Sequence, residues 1–180
     1  MFGEVNGMMR QLRRITDSRL AAPWKRRHST AIRDVGQHDA YRDRGALPEP
    51  SVCRACRALF AGGRWTWETA PANAAQTTCP ACRRIEDRFP AGFLTLSGAF
   101  LGEHREEIVN LARNRAELER QAHPLNRVAT WEEADGEIRI TTTDTHTPRR
   151  IAEAIHDAYH GELAFEYLDD DSVIRVRWAR

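Results

Sequence analysis

The sequence predicts an α+β chain in three parts, behind a mobile basic arm: a small cysteine-clipped module, a long helix, and a ββαββ domain. Three observations predict it. All four cysteines fall as two C-x-x-C clips, Cys53/Cys56 and Cys79/Cys82, separated by 22 residues. A helical stripe of apolar residues follows the second clip. The last third then alternates with period two on either side of one further helical stretch.

Residues 1–46 read as the arm. Their apolar residues are sparse and unperiodic, and Trp24-Lys25-Arg26-Arg27-His28 favours solvation over burial. Leu47-Pro48-Glu49-Pro50 is a stiff approach to the first clip, because each proline biases its predecessor toward extended backbone. Residues 47–92 form the clipped module. Within it Gly62-Gly63 marks a turn, and Arg64-Trp65-Thr66-Trp67-Glu68 alternates as a strand does. Clip, hairpin, clip is the layout of a zinc-ribbon-like module. Arg83–Phe89 reads as a short helix stopped by Pro90-Ala91-Gly92.

Residues 93–124 are read as a connecting helix with Ser97 as its N-cap. Phe100, Leu101, His104, Ile108, Leu111, Ala112 and Leu118 supply its stripe, and acids early with arginines late suit the helix dipole. The ββαββ domain occupies 125–180. Arg127–Trp131 and Glu137–Thr143 are its first strands, joined by the hairpin signal Asp135-Gly136. A helix starts near Thr145–Pro148, buries Ile151, Ala154, Ile155 and Ala158, and stops at Gly161. Glu162–Leu168 and Ser172–Trp178 are the closing strands, around Asp169-Asp170-Asp171.

The clips carry the chemistry. Two thiolates on one tight turn can face a single ion, and a second such turn completes a tetrahedron. Cys53, Cys56, Cys79 and Cys82 are therefore the expected ligands of one structural Zn2+, in a closed shell with no position left for water. Disulfides are the competing use of these cysteines. The N-terminus is polar and Arg-rich, unlike a signal peptide, and no apolar run approaches the roughly 18 residues of a membrane span. A cytoplasmic location is expected, where the thiols would stay reduced.

Net charge is only +1, but its distribution is uneven. Residues 1–50 hold ten basic against six acidic side chains, 51–90 hold six against three, and 91–180 hold eleven against seventeen. A basic front half implies an anionic partner. Arg54, Arg57, Arg64, Arg83 and Arg84 lie in or beside the module, interleaved with Trp65 and Trp67. Guanidinium forks with flat aromatics suit phosphates and unstacked bases, so these seven are the candidate nucleic-acid contacts. The bland alternative makes the tryptophans hairpin core and the arginines a solvated rim.

Other motifs point away from catalysis. Thr143, Asp144 and His146 adjoin in sequence, but a triad must converge in space, and N-capping of the next helix accounts for the segment. His156 and His160 share a helix face without the Glu of a metalloprotease motif. No P-loop, dinucleotide fingerprint or nucleophile elbow occurs. The chain is read as no enzyme, with neither a membrane nor a small-molecule substrate as partner.

Pro48-Glu49-Pro50, the two clips, Trp65, Pro90-Ala91-Gly92, Leu96–Phe100, His123-Pro124-Leu125, Thr141–Asp144, Tyr159–Leu163 and Arg175–Trp178 together resemble a family of small uncharacterised bacterial proteins. The resemblance spans roughly residues 39–180. That family in turn is similar to the archaeal and eukaryotic large-ribosomal-subunit export adaptor, which carries more C-x-x-C clips than the two here. Each clip here is followed by arginine, Arg57 or Arg83, where many zinc knuckles place glycine. The resemblance implies zinc and an RNA or ribosome partner, and no catalytic activity. The reading is thus a non-catalytic zinc-binding adaptor touching RNA or the ribosome through arm and module, with the acidic C-terminal domain free to meet a protein. A zinc module that binds only protein, in transcription or stress-response machinery, is the alternative.

Overall fold

The computed structural model describes Tyr41, residues 47–168 and residues 172–180. The basic arm, Tyr41 apart, and the Asp169–Asp171 loop lie outside the described residues, which all belong to one compact unit. They form a mixed α+β structure of two sheets and four helices.

The first sheet has four strands in the order β3-β2-β1-β4: β1 (Ser51–Cys53), β2 (Leu59–Ala61), β3 (Arg64–Thr66) and β4 (Ala75–Thr77). Gly62 and Gly63 join β2 to β3 with φ of 59° and 72°, the left-handed pair that a two-residue hairpin needs. The Glu49 carboxylate accepts from both of their amides, at 2.6 and 3.2 Å. Strand β4 returns parallel to β1, pairing Cys53 with Thr77. That pairing delivers the second clip beside the first. Helix α1 (Pro80–Glu86) begins there, with proline in its first turn.

The second sheet has five strands in the order β6-β7-β5-β9-β8. Its central strand corrects the sequence reading. Residues 92–97 form β5 (Gly92–Ser97) and not the start of a connecting helix, so Ser97 ends a strand and caps nothing. Leu94 and Leu96 are buried while Phe93, Thr95 and Ser97 are half-buried, the period-two pattern of a strand. The helical part is α2 (Ala99–Glu103) followed, after a break at His104, by α3 (Arg105–Ala122). Leu101, Ile108 and Ala112 of the expected stripe are buried, but Leu118 is exposed.

The ββαββ order is present as β6 (Val128–Ala134), β7 (Glu137–Thr142), α4 (His146–Tyr159), β8 (Glu162–Leu168) and β9 (Val173–Ala179). Its two hairpins do not touch. Strand β5 is inserted between them, antiparallel to β7 and parallel to β9. A ββαββ unit alone would expose the inner edges of both hairpins, and β5 satisfies both. Asp135 and Gly136 turn β6 into β7 with positive φ, as the sequence implied.

Helices α3 and α4 pack on each other and share one apolar core with the sheet, in which Leu94, Leu96, Ile138, Ile140, Ile151, Ile155, Ile174, Val176 and Trp178 are all but fully buried. Asp144 holds the start of α4: its Oδ1 accepts from the amides of His146 and Thr147, at 2.8 and 2.7 Å. Its Oδ2 accepts from the Thr147 hydroxyl at 2.7 Å. Among the described residues no helix is long and apolar enough to cross a membrane. Because Leu96 lies in the central strand, Leu96→Ala should cost about 2–5 kcal/mol in urea unfolding. A loss below about 1 kcal/mol would fit an exposed connector instead.

Candidate metal centre

The four thiols converge. Their sulfurs all lie within 4.8 Å of one another, and Cys56 Sγ is 3.7 Å from Cys79 Sγ. At a Zn–S distance of about 2.3 Å, a tetrahedron sets its sulfurs roughly 3.8 Å apart. None of the four is in a disulfide. Among the described residues, no second group of three or more His, Cys, Asp or Glu side chains comes this close.

Two different local structures present the clips. Cys53 ends β1, and its carbonyl accepts from Arg57 N at 2.9 Å while its amide donates to Ala58 O at 2.8 Å. That tight turn needs a left-handed residue at its end, and Arg57 takes the role with φ of 69°. Arg83 carries no such burden, since it lies inside α1. The second clip is a helix start. Cys79 is the N-cap of α1, and its sulfur accepts from Cys82 N at 3.4 Å. Cys79 N in turn donates to Cys53 Sγ at 3.3 Å. Amides aimed at sulfur favour thiolate over thiol. Burial opposes charge on Cys53, yet the amides of Cys79, Cys56 and Ala55 bring its thiol down to about 6. Burial pushes Cys79 and Cys82 up, against the pull of a nearby guanidinium.

That guanidinium belongs to Arg127, a residue the sequence reading did not single out for the site. Its NH2 group lies 3.0 Å from Cys79 Sγ and 3.4 Å from Cys56 Sγ, and its NH1 group 3.5 Å from Cys82 Sγ. Its Nε is buried without a partner. Burial loosens the proton on Arg127, and the three sulfurs more than restore it. The backbone fixes the residue in place: Arg127 N donates to Thr143 Oγ1 at 3.0 Å, and Thr143 N donates to Arg127 O at 2.9 Å.

A half-buried cation with no carboxylate within ion-pair distance among the described residues needs another anion. Four neutral thiols are poor acceptors, whereas four thiolates around a divalent ion carry excess negative charge beside the guanidinium. The donor set, its dimensions and Arg127 therefore fit one structural metal ion.

The candidate nucleic-acid contacts divide. Arg54, Arg57 and Arg64 are exposed. Trp65 on β3 and Trp67 just past its end both pack toward the cysteine cluster. Trp65 also meets Phe60 at 5.3 Å between ring centroids. Trp67 donates its indole N–H to Arg120 O at 2.6 Å, beneath the Arg120 guanidinium 5.3 Å from its ring. Arg83 donates to Thr78 O at 3.2 Å. Arg84 is buried, donates to Phe89 O at 3.0 Å and lies 4.5 Å above the Tyr41 ring. The structure thus brings the four ligands together but sends the tryptophans and Arg84 inward. Thr143 and Asp144 are taken up in holding Arg127 and starting α4.

Comparison with protein-family models, curated proteins and solved structures finds no match. The centre therefore rests on its own chemistry. Removing the counter-charge tests it: Arg127→Gln should weaken metal affinity about 10–100-fold, the range for outer-shell partners, in competition with a colorimetric chelator. Unchanged affinity would show that the guanidinium is not facing charged sulfur.

Proposed function

We propose that the chain is a non-catalytic adaptor, probed best as two linked statements. Cys53, Cys56, Cys79 and Cys82 hold one structural zinc in a zinc-ribbon-like module. That module, with the basic arm, contacts RNA or the ribosome in the cytoplasm. The single observation behind the first statement is the convergence of four sulfurs beside the half-buried Arg127 guanidinium. Zinc is the natural occupant of a tetrahedral four-thiolate shell, and such a closed shell holds structure without activating water.

Three features support the second statement. Arg54, Arg57 and Arg64 are exposed on the module's turns. The arm and module together hold sixteen basic against nine acidic side chains over residues 1–90. The family resemblance described above points to the same partner. One observation favours the alternative of a protein-binding zinc module: Trp67 and Arg84 are used inside the fold, which removes much of the expected stacking platform.

Salt dependence separates the two. For a single-stranded RNA, log affinity should fall with log salt, and Arg54→Gln/Arg57→Gln/Arg64→Gln should reduce that slope by about 2. Metal content should be unchanged in the same variant. No measurable RNA binding by the unmodified chain at low salt would overturn the RNA reading and leave the protein-binding one.

A further inference from the structure

The second sheet has a face that the helices do not use. Leu94, Leu96, Ile138, Ile140, Ile174 and Val176 point into the core shared with α3 and α4. The residues between them point to the opposite side and are half-buried or exposed. Strand register arranges them in rows. One row across β7, β5 and β9 reads Arg139, Thr95, Arg177. The next reads Thr141, Phe93, Arg175. With strands about 4.8 Å apart and alternate residues about 6.7 Å apart, this is a flat patch with arginines on both sides of a central Phe-Thr strip.

The carboxylates of these two rows stand only at their ends. Glu132 on β6 adjoins Arg139, and Glu166 on β8 adjoins Arg175. Arg175 meets Glu166 at 3.9 Å, and Arg139 meets Glu137, further along its own strand, at 2.7 Å. Such exposed pairs are weakly held and exchange readily for another anion. Arg177 has no carboxylate partner among the described residues. The acidic total of the C-terminal region therefore hides a cationic strip along the middle of its sheet.

We infer that this face is a second RNA-binding surface, one that takes single-stranded RNA. Phosphates meet Arg139, Arg175 and Arg177, and an unstacked base lies on the Phe93 ring. Charge complementarity selects an anion, and an aromatic ring set between guanidinium groups selects one that alternates charge with flat bases. An acidic polypeptide would satisfy the arginines and leave the ring without a matching group. The inference rests on the RNA reading above but uses different residues, so the two fail separately.

The test is fluorescence anisotropy of a uridine-rich RNA of about ten nucleotides with the full chain at low salt, within the usual site size. Arg139→Gln/Arg177→Gln should weaken binding about tenfold or more, and Phe93→Leu about fivefold or more, with unchanged thermal unfolding. A 4-thiouridine RNA should cross-link to peptides containing residues 93–97 or 173–179. Full affinity in both variants, or cross-links confined to the module, would overturn the sheet surface while leaving the module contacts standing. Loss in the sheet variants with full affinity in the Arg54/Arg57/Arg64 triple variant would support the sheet and remove the module. Polyglutamate displacing the RNA at equal charge concentration, with Phe93→Leu silent, would mean a protein partner and overturn the inference.

Discussion

The cysteine-bearing module is organised around four sulfurs crowded at one point. Its sulfurs lie within 4.8 Å of one another, several amides are aimed at them, and the backbone on both sides is fixed by β1–β4 pairing and by the start of α1. Amides favour charge on Cys53 while burial opposes it on Cys79 and Cys82, a balance that a bound cation would settle toward four thiolates. Apart from the cysteine cluster, the module buries Val52 and Leu59 on its small sheet. Its fully buried cluster is Cys53, Ala58, Cys79 and Ala81, with Trp65, Trp67 and Leu125 around them. A metal bound at so small a core would contribute folding energy.

Arg127 ties this requirement to the rest of the molecule. Its guanidinium touches three of the four sulfurs, and its backbone is paired with Thr143 at the end of β7. The next residue, Asp144, starts α4, which packs on the central strands. Metal site, sheet and helix are thereby connected through three hydrogen-bonded residues. Four neutral thiols would leave the half-buried Arg127 without an anion, which couples the second sheet to the state of the cysteine cluster.

Legibility in the sequence followed how local each signal is. The clips, the Gly62-Gly63 and Asp135-Gly136 turns and the closing hairpin β8–β9 are set by residues adjacent in the chain, and each could be read directly. Strand β5 was missed because Pro90-Ala91-Gly92 and Ser97 resemble the punctuation of a helix, and the alternation of Leu94 and Leu96 between them is only two residues deep. Its partners, β7 and β9, lie far along the chain. Arg127 was missed for the same reason: it is 45 residues from Cys82, and no spacing rule links an arginine to a distant clip. The Trp65/Trp67 alternation was visible, but period two says that both share a face and not which face is buried. The cationic strip is likewise a product of register, since its arginines come from β7 and β9 and meet only because β5 lies between them.

The most direct test of the account is elemental analysis of the purified, reduced chain together with a count of thiols reactive before and after denaturation. The account predicts one zinc per chain, four thiols protected in the folded protein, and simultaneous loss of zinc and protection in Cys79→Ser. A folded, reduced chain with no metal and freely reactive thiols, or one whose cysteines are paired as disulfides, would contradict it.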